Sequence, residues 1–247
     1  MIRFEDVYKR YPNGREALSG ISFALERGEM AFLTGPSGAG KSTLLKLIAL
    51  IERPTRGAVI VNSRNTAGVS RRRIPGFRRR IGVVFQDHKL LHDRSVFDNV
   101  ALPLVIAGFA PRETGRRVRA ALDQVGLRGR EKHAPITLST GEQQRVGIAR
   151  AVASRPDVVI ADEPTGNLDP ELSLEIMRLL ERFNEVGVTL LIATHDLKLV
   201  EHLGHRTIRL VAGEISADDF AADGSAARRP APPDPTLTGR HGSRYRD

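Results

Sequence analysis

One stretch constrains this chain more than any other: Gly35-Pro36-Ser37-Gly38-Ala39-Gly40-Lys41-Ser42. An apolar β-type run, Met30–Thr34, leads straight into it, and an apolar helical run, Lys41–Ile51, follows. The spacing is G-x-x-x-x-G-K-[ST], a strand–loop–helix pattern for cradling phosphate. Glycines let the backbone wrap closely with its N–H groups pointing inward. The helix that starts near Lys41 adds the positive end of its dipole. Lys41 can then reach the β- and γ-phosphates of a nucleotide, and the Ser42 hydroxyl can coordinate Mg²⁺. At average residue usage the fixed positions arise by chance about once in a hundred chains of this length. The strand and helix on either side make chance weaker still.

A second strand end completes the site. Val158-Val159-Ile160-Ala161 is apolar and terminates in Asp162-Glu163. Ligands of open α/β sheets bind at such carboxyl ends. Asp162 is placed to hold Mg²⁺, and Glu163 to polarise an attacking water as general base. Further strands are expected at Ile2–Val7, Ala17–Leu25, Gly57–Asn62, Ile81–Phe85, Val188–Ala193 and Arg206–Val211, with helices at Pro170–Asn184 and Asp196–Leu203. This alternation predicts a mostly parallel sheet covered on both faces. From Ser95 to Leu127 the pattern is helical, Val118, Leu122 and Val125 recurring at spacings of four and three. The expected organisation is one domain over 1–220, with a helical lobe at about 95–150. The Arg- and Pro-rich segment 221–247 cannot build a packed core and is expected to be disordered.

Composition narrows the setting. The chain has no cysteine, which excludes disulfides and thiolate metal sites and fits a cytoplasmic location. Met1–Asp6 carries acids where a signal peptide needs basic and apolar residues. The best apolar run, Val96–Gly108, is too short to span a bilayer and is broken by Asp98, Asn99 and Pro103. The net charge of +9 is concentrated in Arg71–Arg73, Arg78–Arg80, the stretch Arg112–Arg130 and the tail. Those runs are either a solvated face or an attraction to anionic lipid or an acidic partner. Aromatic residues are not interleaved with them, so a stacking platform for nucleic acid is not expected.

Leu138-Ser139-Thr140-Gly141-Glu142-Gln143-Gln144-Arg145 lies upstream of the second carboxylate strand. Ser139 and Glu142 make an S-x-x-E capping box, predicting a helix from there to about Ser154. The segment resembles the signature sequence of the ABC ATPases, and five motifs follow that family's order over residues 1 to about 216. The resemblance implies an α/β P-loop NTPase fold with a RecA-like parallel-sheet core, an N-terminal antiparallel β subdomain and a helical subdomain. It implies hydrolysis of ATP with Mg²⁺, by a head-to-tail homodimer that sandwiches two ATP molecules. Gly35, Pro36, Ser37, Gly38, Ala39, Gly40, Lys41, Ser42 and Thr43 would bind nucleotide, and Tyr11 would stack on adenine. Ser42, Gln86 and Asp162 would hold Mg²⁺, with Gln86 sensing the ion, and His195 would touch the γ-phosphate. Glu163, His195, Gln86 and Lys41 are then the catalytic set. Ser139, Gly141 and Glu142 would face ATP bound to the opposite subunit, and Asn167-Leu168-Asp169 would communicate across the pair. Thr140 departs from the family's usual glycine, and its β-branched side chain is expected to weaken the closed pair or alter its geometry.

Within the family the likeness is greatest to the branch that acts in bacterial cell division. It is carried by Gly28–Gly35, Ser42–Ile48, Phe85–His88 and Glu142–Ala151. That likeness implies an integral membrane partner, bent by ATP-driven pairing to regulate cell-wall hydrolases, and a place on the cytoplasmic face of the inner membrane. The alternative is the ATPase of a lipoprotein or macrolide exporter, because Asp98–Ala101 and Ala161–Asp169 resemble those relatives equally. DNA-repair and chromosome-organising relatives insert a long coiled coil before the signature. Here the intervening segment shows no sustained heptads, and no nucleic acid partner is expected. Leu90, Leu91, Val96, Phe97, Leu102 and Leu104, beside Gln86, are expected to supply core and a groove for a partner helix.

Overall fold

The computed structural model describes residues 1–219, so the tail expected to be disordered lies outside the described residues. The chain runs β1 (Ile2–Arg10), β2 (Glu16–Leu25), β3 (Met30–Thr34), α1 (Lys41–Ile48), β4 (Arg56–Val61), β5 (Arg64–Asn65), α2 (Ile74–Arg78) and β6 (Ile81–Val84). Three helices follow: α3 (Val96–Ile106), α4 (Pro111–Gln124) and α5 (Thr140–Val152). It ends with β7 (Val158–Asp162), α6 (Pro170–Glu185), β8 (Thr189–Ala193), α7 (Leu197–Leu203), β9 (Arg206–Val211) and β10 (Glu214–Asp219).

The strands form two sheets. The smaller is antiparallel, in the order β2-β1-β4-β5; the larger has the order β10-β9-β3-β8-β7-β6. All its pairings are parallel except that of β10 with β9. Every side chain of β3 and β8 is buried, as expected for strands covered on both faces. The pleat then sorts neighbours into separate cores. Met30 and Phe32 pack with α3, α4, α5 and α6, while Ala31 and Leu33 pack with α1 and the small sheet. The small sheet and the large one therefore share a core through α1.

Some boundaries differ from the sequence pattern. The helix expected over Lys41–Ile51 stops at Ile48. Leu50 takes a left-handed conformation (φ 54), the Ile51 N–H turns back to the Lys46 carbonyl, and Arg78 donates to the carbonyls of Ala49 and Leu50. That is the chemistry of a helix C-terminus closed by a left-handed residue. β6 ends at Val84, so Phe85 begins a loop. The structure adds β5, α2 and β10, which the hydrophobic pattern does not announce.

Candidate active site

Parallel pairing brings the carboxyl ends of β3, β6, β7 and β8 to one edge. Gly35 leaves β3 at φ 141, and Gly40 caps α1 at φ 110. A Cβ added at Gly35 would stand 2.0 Å from the Leu210 carbonyl oxygen; at Gly40 it would stand 2.5 Å from that of Ala17. Only glycine allows both this torsion and this approach. Lys41, buried, points back into the loop it follows. Its Nζ donates to the carbonyls of Gly35 (2.7 Å) and Pro36 (3.2 Å) and stands 3.9 Å from Glu163 Oε1.

Residues Ser37 to Thr43 line one wall of a cavity of about 550 Å³. Gln86 after β6, Asp162 and Glu163 at the end of β7, and His195 after β8 line the other wall. Glu163 has a left-handed backbone (φ 49), and its N–H crosses to the Ala193 carbonyl. That turn aims its carboxylate across β8. Glu163 Oε2 lies 2.8 Å from His195 Nδ1 and accepts from the His195 backbone N–H at 3.3 Å. Glu163, His195 and Lys41 are thus joined around one space.

Other expected residues lie outside the cavity wall. The Tyr11 hydroxyl is 3.3 Å from Thr43 Oγ1, and Lys9 Nζ sits 4.9 Å over the Tyr11 ring. Gly35 and Pro36 act through their carbonyls on Lys41. Ser139, Gly141 and Glu142 open α5 away from the cavity of their own chain. There Ser139 Oγ accepts from the Glu142 N–H, and Glu142 accepts from the Ser139 N–H at 2.9 Å. Gly141 is packed so tightly that a Cβ would meet the Leu172 side chain at 2.5 Å, whereas Thr140 is exposed at the first helical position. Asp169 caps α6 through the Leu172 N–H (2.9 Å), with Pro170 at the first position. One lining residue went unread in the sequence: Arg15, whose Nη2 reaches the Gly38 carbonyl at 3.4 Å. No motif contains it.

The loop carrying Gln86 is bent at two consecutive non-glycine residues, His88 (φ 56) and Lys89 (φ 48). Arg150, near the far end of α5, donates to both their carbonyls and lies 6.0 Å from the centroid of the Phe85 ring. Burial holds the Arg150 guanidinium below its ordinary pKa. Beyond the bend, fully buried Asn99 accepts from the Leu91 N–H (2.7 Å) and donates to the carbonyls of Leu91 (3.0 Å) and Ser95 (2.9 Å).

Residues 18–166 match the ABC transporter family. The chain belongs to the ABC transporter family of ATPases. Among relatives of this ABC ATPase, the cell division ATP-binding protein FtsE of Escherichia coli strain K12 is 57% identical over 87% of this chain and 97% of its own length. FtsE of Bacillus subtilis strain 168 is 48% identical over 89% of this chain and 96% of its own. A solved dimeric ATP-binding cassette, in a post-hydrolysis state bound to ADP and Pi, superposes with a TM-score of 0.81 at 34% identity. That match covers 89% of this chain and 98% of the cassette.

Among the described residues of this ABC ATPase the basic runs do not form one free face. Arg78 closes α1, Arg80 pairs with Asp157, and Arg117 pairs with Glu113 (2.8 Å) while its guanidinium carbon lies 4.5 Å over the Phe109 ring. Arg71, Arg72, Arg73 and Arg79 remain exposed. The apolar set beside Gln86 also divides. Leu90, Val96 and Leu104 are core and cannot line a groove; Phe97 is partly buried against the same core. Leu91 and Leu102 are exposed, as are Val105 and Ile106, which the sequence reading passed over. Among the described residues no helix is long and apolar enough to cross a membrane.

Proposed function

We propose that two copies of this ATPase close head to tail on two ATP molecules, and that closure drives an FtsX-like integral membrane protein of the bacterial division machinery. The observation that carries the reading is the 57% identity to FtsE across 97% of that protein. The dimeric state of the cassette relative supports the pairing. So does the placing of Ser139, Gly141 and Glu142 outside their own chain's cavity, where a second chain's nucleotide could meet a helix N-terminus. The chain would then work peripherally, at the cytoplasmic face of the inner membrane, and regulate cell-wall hydrolysis through its partner.

In the chemical step Lys41 turns from the Gly35 and Pro36 carbonyls to the β- and γ-phosphates. Glu163, held by His195, takes the proton of the attacking water, and His195 steadies the γ-phosphate. Gln86 orients that water from the third strand end, and Tyr11 stacks on adenine. Ser42, Asp162 and Gln86 line one cavity, and their hydroxyl, carboxylate and amide oxygens would supply an all-oxygen donor set. Such a set suits Mg²⁺, which takes one or two carboxylates and leaves its other positions to phosphate and water. When bound, the ion would neutralise charge on the phosphates. The helices α3, α4 and α5 would act as a lobe, presenting exposed Leu91, Leu102, Val105 and Ile106 to the partner.

Glu163→Gln keeps the shape and removes the base. Turnover is expected to fall by about two to four orders of magnitude while ATP binding survives. The variant, incubated with ATP and Mg²⁺ and recovered from solubilised membranes, should retain an FtsX-like protein. Recovery of a transport permease in its place would overturn the division reading and leave the chemistry standing.

A further inference from the structure

We propose that Arg15 is a nucleotide-contacting residue, its guanidinium binding the phosphate tail of ATP from the β1–β2 hairpin. The proposal rests on the cavity beside Lys41 being the nucleotide site.

The hairpin turn holds the Arg15 backbone firmly. Its carbonyl accepts from the Tyr11 N–H at 2.9 Å, and its own N–H donates to Asn13 Oδ1 at 3.2 Å. Its side chain is exposed, lines the cavity, and touches Gly38 at the tip of the phosphate loop. That bond is 3.4 Å long, near the outer limit of hydrogen bonding, so the guanidinium is hardly committed to it. Among the described residues no carboxylate pairs with Arg15.

Lys41, the other cation of the cavity, is held differently, by two carbonyls and the approach of Glu163. The cavity wall also carries Asp162 and Glu163, whose two negative charges match Lys41 and Arg15. A polyphosphate entering this space needs every cation that can turn toward it. A guanidinium offers a planar fork matched to phosphate oxygens. Arg15 is the cation in this wall free to supply it.

The test is ATP binding by the full chain, measured by equilibrium dialysis at several salt concentrations, with turnover measured in parallel. Arg15→Gln keeps a donor for the Gly38 carbonyl but loses the charge. It should weaken ATP binding about tenfold, flatten the salt dependence, and raise KM with kcat held. Arg15→Lys should recover part of the affinity, and thermal unfolding without nucleotide should match wild type for both. Wild-type affinity and salt dependence in Arg15→Gln would reduce Arg15 to a brace for Gly38 and overturn the proposal. Lys41→Ala separates the two levels. If it fails to weaken binding, the cavity is not the nucleotide site and the Arg15 proposal falls with it; if it weakens binding while Arg15→Gln does not, only the Arg15 proposal falls.

Discussion

Two loops leave the same edge of the large sheet and are held in different ways. The loop after β3 is held through its own backbone, with Gly35 against the Leu210 carbonyl and Gly40 against that of Ala17. Its unusual torsions fall on glycines, where they cost little. The loop after β6 bends at His88 and Lys89, where a left-handed backbone costs about 1 kcal/mol or more at each residue. It keeps that shape because Arg150 and Asn99 reach in from α5 and α3. The first loop is preorganised, which suits a cradle that must present N–H groups without rearranging. The second is strained and hangs on two side chains. Because α5 begins at the Ser139 cap and ends near Arg150, a displacement of that helix is placed to move the loop that carries Gln86.

The comparison breaks most decisively at Gly35. Gly35→Ala drives a Cβ into a backbone oxygen that cannot step aside. A loss of about 3 kcal/mol in denaturant unfolding is expected, together with loss of ATP binding. Wild-type binding in that variant would mean the first loop is not held through its backbone at all. Arg150→Ala should separate the loops. It leaves the His88 and Lys89 carbonyls without their donor, costs about 2 kcal/mol, and should lower turnover at least about tenfold while ATP still binds. Equal loss of binding and turnover would show that the two loops are not independent. The smallest effect is expected at Thr140. Thr140→Gly alters an exposed first helical position, so stability should change by only about 0.5 kcal/mol. In the Glu163→Gln background, however, ATP-dependent pairing followed by analytical ultracentrifugation should tighten. Unchanged pairing and an unchanged ATPase rate would remove Thr140 from the link between signature helix and loop.

Much of the site is legible because its chemistry is local in sequence. The spacing of Gly35, Gly40, Lys41 and Ser42 declares a phosphate loop without any fold in hand. The run into Asp162-Glu163 and the run into Thr194-His195 mark strand ends, and parallel pairing then puts strand ends together. Ser139 and Glu142 are three residues apart, so their reciprocal cap can be read directly and is found. Which apolar residues beside Gln86 are exposed is legible only in part, since an apolar residue on a helix looks the same in sequence whether it faces core, like Leu104, or water, like Ile106.

Other features leave no trace of that kind. β10 carries Glu214, Asp218 and Asp219, a poor composition for a strand. It is held by Arg206 of β9, buried at 6% exposure, which forks onto Asp218 (2.8 and 2.7 Å) and also reaches Glu29 and the Ala24 carbonyl. α2 contains Pro75 and Gly76, and its place is decided by buried Phe77 and by the grip of Arg78 on the end of α1. The sequence by itself determined the family, the strand ends that meet at one edge and most of the residues that line the cavity there, because short-range spacing and strand termini encode them. Only the tertiary structure decided that Arg15 faces the cavity, that His88 and Lys89 are bent, and which arginines are tied down. Apart from the local Arg117–Glu113 pair, those are contacts between residues far apart in the chain, with no period and no motif, and they form only when packing closes the loops between them.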